Sequence, residues 1–154
     1  MLQPKPGPAL LLNLKFYWKP MNRKLILYIA TSVDGFIAGP DDDLGFLSTV
    51  DKPGEDYGYG AFIATIDTVI LGRRTYDWVM KHVNTFPHAD KESYIITRTP
   101  RPAIGNINFY TGDLTALVSR LKQKAGKNIF CDGGAEVVHA LLKENLIDEL
   151  IISI

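Results

Sequence analysis

Short apolar runs alternate with amphipathic helical segments along most of this 154-residue chain. Runs of this kind, with few charges, are typical of strands buried on both faces of a parallel sheet. Strands are predicted at 24–30, 68–71, 93–97, 107–110, 128–131 and 146–154, and helices at 56–66, 75–82, 113–124 and 135–143. The alternation predicts an α/β fold, a three-layer sandwich with a mostly parallel central sheet and helices on both faces.

The charge balance argues against two classes of partner. Lys and Arg together number 17, as do Asp and Glu, so the formal net charge is zero. Proteins that coat nucleic acid or anionic membranes usually carry a basic excess, so we expect neither partner here. The single cysteine, Cys131, cannot form an internal disulfide, which fits a cytoplasmic protein. The three histidines lack metal-ligand spacing, so no metal is expected.

The first twenty residues differ from the remainder. They are rich in proline around an apolar run at 9–14, which is far too short to span a bilayer. We therefore expect residues 1–22 to form an N-terminal extension outside the fold, or alternatively an additional packed arm. Residues 23–154 are expected to form one domain. Its last apolar strand runs to Ile154, which predicts a truncated C-terminus or an edge that another subunit covers.

Three strand-to-helix or strand-to-loop junctions, at 72–75, 97–99 and 131–136, each contain groups that can bind an anion. The first is a glycine, two arginines and Thr75, a possible helix cap. The last contains paired glycines, and the middle one is Thr-Arg-Thr. Glycines and helix N-termini favour bound anions. A glycine pair alone more often serves packing, and paired arginines alone more often lie on a solvated surface. Parallel strands, however, would bring all three junctions to one edge of the sheet. A ligand with several phosphates could then span them, although both G-x-G-x-x-G and G-x-x-x-x-G-K-[ST] are absent.

Three motifs in the same order resemble the dihydrofolate-reductase-like superfamily. A-T-S-V-D-G-F-I-A at 30–38 resembles its opening strand and turn, and L-G-R-R-T-Y at 71–76 is similar to its L-G-R-x-T-[YW] motif. I-F-C-D-G-G at 129–134, followed by an apolar helix, resembles its glycine-pair motif. Within the superfamily, the chain most resembles the reductase domain of riboflavin biosynthesis and its stand-alone relatives, over residues 23 to 154.

The resemblance implies an NADPH-dependent oxidoreductase that forms a homodimer. By position in the motifs, three groups of residues would contact the cofactor. The phosphates would be held by Gly72, Arg73, Arg74 and Thr75, the adenosine 2′-phosphate by Thr97 and Arg98, and the pyrophosphate by Gly133, Gly134, Ala135 and Glu136. An arginine suits the 2′-phosphate because its planar guanidinium binds a dianion in a forked geometry.

The proton donor is less clearly marked. Dihydrofolate reductases use a carboxylate on the helix before the L-G-R-x-T motif, and sixteen positions before Gly72 lies Asp56. Asp56 is therefore the candidate catalytic residue; the alternative is a carboxylate that stabilises a helix N-terminus. Asp34 is a second acidic candidate, but Asp34-Gly35 is first a turn signal. His139 is expected to be structural.

The resemblance favours hydride transfer to a small heterocyclic or sugar-derived substrate, as in phosphoribosylaminouracil reduction. Dihydrofolate reductase is the alternative enzyme. A non-catalytic nucleotide-binding protein and, more weakly, a phosphosugar-binding module are alternatives from another class. The zinc motif of deaminases, H-x-E with P-C-x-x-C, is absent, which excludes deamination by this chain.

Overall fold

The structure is a computed structural model that describes residues 23–40 and 43–154. The extension predicted at 1–22 lies outside the described residues. Within them the strands are β1 (Leu25–Ala30), β2 (Ile66–Gly72), β3 (Glu92–Ile96), β4 (Ile107–Tyr110), β5 (Asn128–Cys131) and β6 (Glu149–Ser153). The helices are α1 (Tyr59–Ile63), α2 (Arg73–His82), α3 (Leu114–Gln123) and α4 (Ala135–Lys143), with a 3-10 helix at Gly45–Val50.

The strands form one sheet in the order β4-β3-β2-β5-β1-β6. Every pairing between these strands is parallel, so the predicted α/β class is confirmed and the sheet is more uniformly parallel than expected. β2 lies at the centre, where Ile70 pairs with Tyr94 of β3 and Cys131 of β5. The strands β2 and β5 are therefore neighbours along their length, and their carboxyl ends lie side by side.

Side chains alternate along each strand, so the strands present apolar residues on both faces of the sheet. Helices cover both of these faces. Val69 and Leu71 of β2 point into a core formed with α1 and α2, whereas Ile70 points into a core formed with α3 and α4. The first core consists of Ile26, Phe62, Ile66, Val69, Leu71, Tyr76, Phe86, Ile95, Ile107 and Phe130. The second consists of Leu25, Leu27, Ile70, Tyr94, Leu117, Val118, Leu121, Ile129, Cys131, Val137 and Leu141. The arrangement is the predicted three-layer sandwich.

A buried arginine joins the amino ends of three strands. Arg23, which precedes β1, donates from Nε to the Lys127 carbonyl at 2.5 Å and from Nη2 to Thr68 Oγ1 at 2.6 Å. The same Nη2 forms an ion pair with the Asp67 carboxylate. Asp67 also accepts the Lys127 N–H at 2.7 Å. These bonds connect the start of β2 to the segments that precede β1 and β5.

Helix α1 is shorter than predicted, and the prediction of a helix at 56–66 was wrong at both ends. Gly58 has a φ of +81°, so the helix begins only after it, at Tyr59. Ile66 was assigned to the apolar face of the helix, but it begins β2 and is buried in the core beneath α1. A short apolar stretch does not distinguish helix from strand by its period alone.

Helix α2 begins earlier than predicted. Gly72 is its N-cap, in extended conformation and without a side-chain cap, and Arg73 and Arg74 form its first turn. Thr75 therefore does not cap the helix, because it is the third helical residue. At the other end of the chain, β6 starts at Glu149 rather than 146, since Leu146 and Ile147 pack against the core before the strand begins.

Candidate functional site

The β2–α2 and β5–α4 junctions are joined by backbone hydrogen bonds. The Gly72 N–H donates to the Gly133 carbonyl at 2.8 Å, and the Asp132 N–H donates to the Ile70 carbonyl at 3.0 Å. Because β2 and β5 are parallel neighbours, both helices start at the same edge of the sheet. The free N–H groups in the first turns of α2 and α4 therefore lie close together, on opposite faces of the sheet.

Two glycines allow this close approach. A Cβ at Gly134 would lie 2.8 Å from the Thr75 hydroxyl, a distance that real contacts do not reach. A Cβ at Gly72 would lie 3.4 Å from Val137 Cγ2 in the first turn of α4. Thr75 thus faces the second junction, and both glycines have a packing role. The peptide bond between Gly133 and Gly134 is cis.

The basic residues at the start of α2 are part of an ion-pair network. Arg73 Nη1 lies 2.8 Å from Asp77 Oδ2, and Arg101, from the loop after β3, lies 3.0 Å from Asp77 Oδ1. Partial burial raises the pKa of Asp77, but hydrogen bonds from Arg101 and Arg73 outweigh it and hold that pKa below its ordinary value. Arg73, Arg74 and Trp78 also line a shallow pocket along α2. Arg101 belongs to none of the sequence motifs.

The third junction lies at the end of β3, next to β2. Thr97 is mostly buried, and its hydroxyl accepts the Thr99 N–H at 3.1 Å. The Arg98 side chain is 97% exposed, and its Nη2 is 4.0 Å from Glu136 Oε2 in the first turn of α4. Arg98 therefore reaches toward the β5–α4 junction across the end of β2. All three predicted junctions thus lie along one edge of the sheet.

Beside these junctions, on the α1 face of the sheet, lies a group of aromatic side chains next to Asp132. The rings of Tyr28 and Phe62 are 4.7 Å apart, and those of Tyr28 and Tyr59 are 5.7 Å apart. Burial, the Asp132 charge and Tyr28 together raise the pKa of Tyr59 to about 12. The Tyr59 phenol is therefore protonated at neutral pH and lies within electrostatic range of the Asp132 carboxylate.

Asp132 is hydrogen-bonded to a buried histidine. His88 Nε2 lies 3.0 Å from Asp132 Oδ2; the His88 side chain is 6% exposed and that of Asp132 is 31% exposed. His88 belongs to the connection between α2 and β3. His88 belongs to none of the sequence motifs, and Asp132 is marked only as part of the glycine-pair motif. The two residues are 44 positions apart, so no local pattern indicates that they meet.

Asp56 lies at the surface, before α1. Its carboxylate accepts the Gly58 N–H at 2.8 Å and the Gly60 N–H at 3.0 Å. These two hydrogen bonds lower the pKa of Asp56, although desolvation acts in the opposite direction. The geometry is that of the alternative role, a carboxylate that stabilises a helix start. The assignment of Asp56 as the proton donor stays a prediction, and a lowered pKa does not favour it.

Three further residues considered in the sequence have defined environments. Asp34 lies in the expected turn, where the Gly35 N–H donates to the Ser32 carbonyl at 2.8 Å. His139, expected to be structural, lies on α4 with its side chain exposed. Cys131 is fully buried, and desolvation raises the pKa of its thiol to about 12, so it does not act as a nucleophile at neutral pH.

Neither a metal site nor a membrane span is found in the described part of the chain. Residues 23–40 and 43–154 hold no group of three or more His, Cys, Asp or Glu side chains arranged to bind a metal ion. No helix within these ranges has the length and apolar character needed to cross a bilayer.

Comparison with known proteins places these features in a family. The RibD C-terminal domain model matches residues 23–154. YwjB, an uncharacterised protein of Bacillus subtilis (strain 168), is 43% identical over 135 residues, covering 87% of this chain and 77% of YwjB. YyaP, another uncharacterised protein of the same strain, is 29% identical over 143 residues, with coverage of 86% and 74%.

Solved structures show the same architecture. A protein of Shewanella sp. PV-4, described as a candidate riboflavin biosynthesis protein, superimposes with a TM-score of 0.74 at 30% identity, covering 84% of this chain and 75% of that one. Dihydrofolate reductase from Enterococcus faecalis, solved with NADP(H) and the ligand RAB-propyl, superimposes with a TM-score of 0.52 at 18% identity, covering 79% and 65%. The second similarity concerns the fold alone.

Proposed function

Because the chain belongs to the RibD C-terminal domain family, we propose that it is an NADPH-dependent reductase of the riboflavin-biosynthesis group. The observation that carries this proposal is the hydrogen bond that joins Gly72 to Gly133. It brings the starts of α2 and α4 together at the carboxyl edge of a parallel sheet, where such folds bind nucleotides. A protein that only binds the nucleotide would need the same edge, so turnover must be tested separately from binding.

The residues at this edge fit a phosphorylated dinucleotide. We assign Gly72, Arg73, Arg74 and Thr75, together with Gly133, Gly134, Ala135 and Glu136, to the phosphates. The free N–H groups of both first turns are donors for anions, and the arginines add positive charge. Thr97 and the exposed Arg98 are assigned to the adenosine 2′-phosphate, which distinguishes NADPH from NADH.

The substrate side of the site is assigned to the aromatic group beside Asp132. NADPH supplies hydride, and the protein provides orientation, a partly dry pocket and a proton. Tyr28 and Tyr59 offer ring surfaces that suit a planar heterocycle, and Phe62 packs against both from the core. Two carboxylates are candidates for the proton path: Asp56, predicted from the sequence, and Asp132, whose position favours it. Turnover by Asp56→Asn and Asp132→Asn separates them, because only loss of the true donor reduces kcat while NADPH binding is retained.

The second candidate is dihydrofolate reductase. Its substrate is also a planar heterocycle, so either candidate carboxylate and the same aromatic rings could serve that reaction. NADPH oxidation measured with dihydrofolate and with phosphoribosylaminouracil as substrates separates the two enzymes. We also propose, from the resemblance, that the protein is a cytoplasmic homodimer.

Cofactor preference tests the proposal through thermal stability. A ligand present at about 100 times its Kd adds about 2.7 kcal/mol to the free energy of unfolding, so NADPH should raise the Tm by several degrees. NADH should raise it less at equal concentration. Arg98→Ala should reduce the NADPH effect toward the NADH effect, whereas Arg120→Ala, an exposed arginine on α3, should leave both unchanged. If neither dinucleotide raises the Tm of the wild-type protein, the reductase proposal fails. An equal loss for both cofactors in Arg98→Ala would remove Arg98 from the 2′-phosphate.

A further inference from the structure

We infer that His88 is a positioning residue, whose buried imidazole holds the Asp132 carboxylate in place beside the aromatic group of Tyr28, Tyr59 and Phe62. The inference deepens the proposed function and rests on it for its catalytic consequence. Its structural part, the control of Asp132 orientation by His88, can be tested without any cofactor.

The first argument is the hydrogen bond itself. An ionised carboxylate only accepts hydrogen bonds, so the His88 Nε2 that lies 3.0 Å from Asp132 Oδ2 carries the proton and donates it. The Asp132 side chain is still 31% exposed while it makes this bond. The carboxylate is therefore held through Oδ2 and remains accessible to a ligand.

The second argument is that His88 is itself held rigidly. Its ring makes edge contacts with Phe86, at 5.4 Å between centroids, and with Phe130 of β5, at 5.8 Å. Phe86 packs in turn against Tyr76 of α2. The imidazole is thus enclosed by the core of the α1–α2 face, with little freedom to rotate. A donor fixed in this way reduces the freedom of a partly exposed carboxylate, and functional groups need such support to keep their geometry.

The third argument is the location of the pair. Asp132 directly precedes the Gly133-Gly134 segment and contributes to the raised pKa of Tyr59, so it lies between the cofactor edge and the aromatic group. His88 reaches Asp132 from the core of the α1–α2 face, where its ring packs on Phe86 and Phe130. A further charged group near His88 is Asp90, on the same connection, whose side chain is 70% exposed and paired with Lys91. We therefore infer that His88 acts on the site through its hydrogen bond to Asp132.

Two substitutions at His88 separate positioning from packing. Gln places a side-chain N–H close to the position of Nε2, whereas Phe keeps the ring volume and removes the donor. We expect crystal structures to show Asp132 in its wild-type rotamer in His88→Gln and rotated or spread over several rotamers in His88→Phe. His82→Gln, at an exposed histidine on α2, is the matched control and should leave Asp132 unchanged. An unchanged Asp132 rotamer in His88→Phe overturns the inference.

The catalytic consequence is tested by measuring turnover and NADPH binding separately in each variant. With the substrate that the wild-type enzyme turns over, His88→Phe should lower kcat/KM about 10- to 100-fold, because misplacement of a reacting group by about 1 Å costs rate on that scale. His88→Gln should recover most of the loss, and the Tm shift caused by NADPH should be the same in both variants. Equal kcat/KM losses in the Gln and Phe variants would show a purely structural role.

A measurement on the folded wild-type protein covers the case in which His88→Phe does not fold. Imidazole ¹H–¹⁵N spectra should show a protonated His88 Nε2 whose resonance moves in Asp132→Ala, a change at a partly exposed position. No shift in that variant would mean that the hydrogen bond is absent and the inference fails. If the bond is present but wild-type protein does not bind NADPH, the proposed function fails while the structural role of His88 stands.

Discussion

Individual residues in this protein take their roles from distant partners. Asp132 lies in a motif that the sequence marks, but its environment depends on His88, 44 positions away. Arg23 was read only as part of the first residues of the domain, yet its guanidinium is bound by groups 44 to 104 positions further along the chain. The sequence indicates where functional groups lie along a strand end. It does not indicate which side chains meet there, because those contacts depend on the packing of separate segments.

Arg23 and Lys24 form a matched pair for a test of buried against exposed charge. Arg23→Met should lower the free energy of unfolding by about 3 kcal/mol, because it removes the ion-pair partner of the Asp67 carboxylate and the side-chain donor to the Lys127 carbonyl. Lys24→Met removes only an exposed pair with Glu149 and should cost less than about 1 kcal/mol. Urea unfolding of both variants measures the difference. Equal losses would contradict the anchoring role of Arg23.

At the scale of elements, hydrophobic periodicity predicted most strands and helices well. The strands at 107–110 and 128–131 and the helix at 135–143 have the predicted bounds. The start of α2 was misplaced because threonine is a common N-cap residue. In the structure Gly72 is the N-cap, and the Thr75 hydroxyl faces Gly134. That choice depends on the neighbouring junction and not on the local sequence, which is why propensity alone missed it.

The contact between Thr75 and Gly134 predicts a coupled pair of substitutions. Gly134→Ala should lower the free energy of unfolding by about 1–3 kcal/mol, because its Cβ would lie 2.8 Å from the Thr75 hydroxyl. In a Thr75→Ala background the same substitution should cost clearly less, since the hydroxyl is gone. A double-mutant cycle by urea unfolding isolates this coupling from other effects at Gly134. If the losses in the free energy of unfolding are additive, the Thr75 hydroxyl and residue 134 do not interact.

At the scale of the whole molecule, the sequence predicted the class of fold and the common edge for three junctions. Both follow from the rule that alternating strands and helices build a parallel sheet whose carboxyl ends coincide. The strand order β4-β3-β2-β5-β1-β6 could not be read from the sequence, since it depends on contacts between distant strands. The pairing of β2 with β5, which places the two glycine junctions together, is part of that strand order, so the sequence does not predict it either.

Stability should fall in alkaline solution because the fold keeps three groups protonated. Burial raises the pKa of Cys131 from 9.0, and those of Tyr59 and Tyr94 from 10.0, to about 12 in each case. Above about pH 9 the unfolded chain releases protons that the folded chain retains. The contribution is therefore complete below pH 9 and is lost as the pH rises toward 12.

Urea unfolding between pH 7 and pH 11 measures this effect. The free energy of unfolding should be nearly level up to pH 9 and should then decrease. Cys131→Ala lacks the thiol and should show a shallower decrease, even though its stability at pH 7 is lower. A free energy of unfolding that stays constant or increases above pH 9 would contradict the burial of these groups.

The central claim is that the joined starts of α2 and α4 hold NADPH, and amide chemical-shift mapping tests it most directly. On titration with NADPH, the backbone ¹H–¹⁵N resonances of Arg73, Thr75, Ala135 and Glu136 should move together with one Kd. Those of Arg23 and Lys127, at the amino ends of the strands, should not move. Saturable shifts confined to any other part of the chain, or no shifts at all, would contradict the claim.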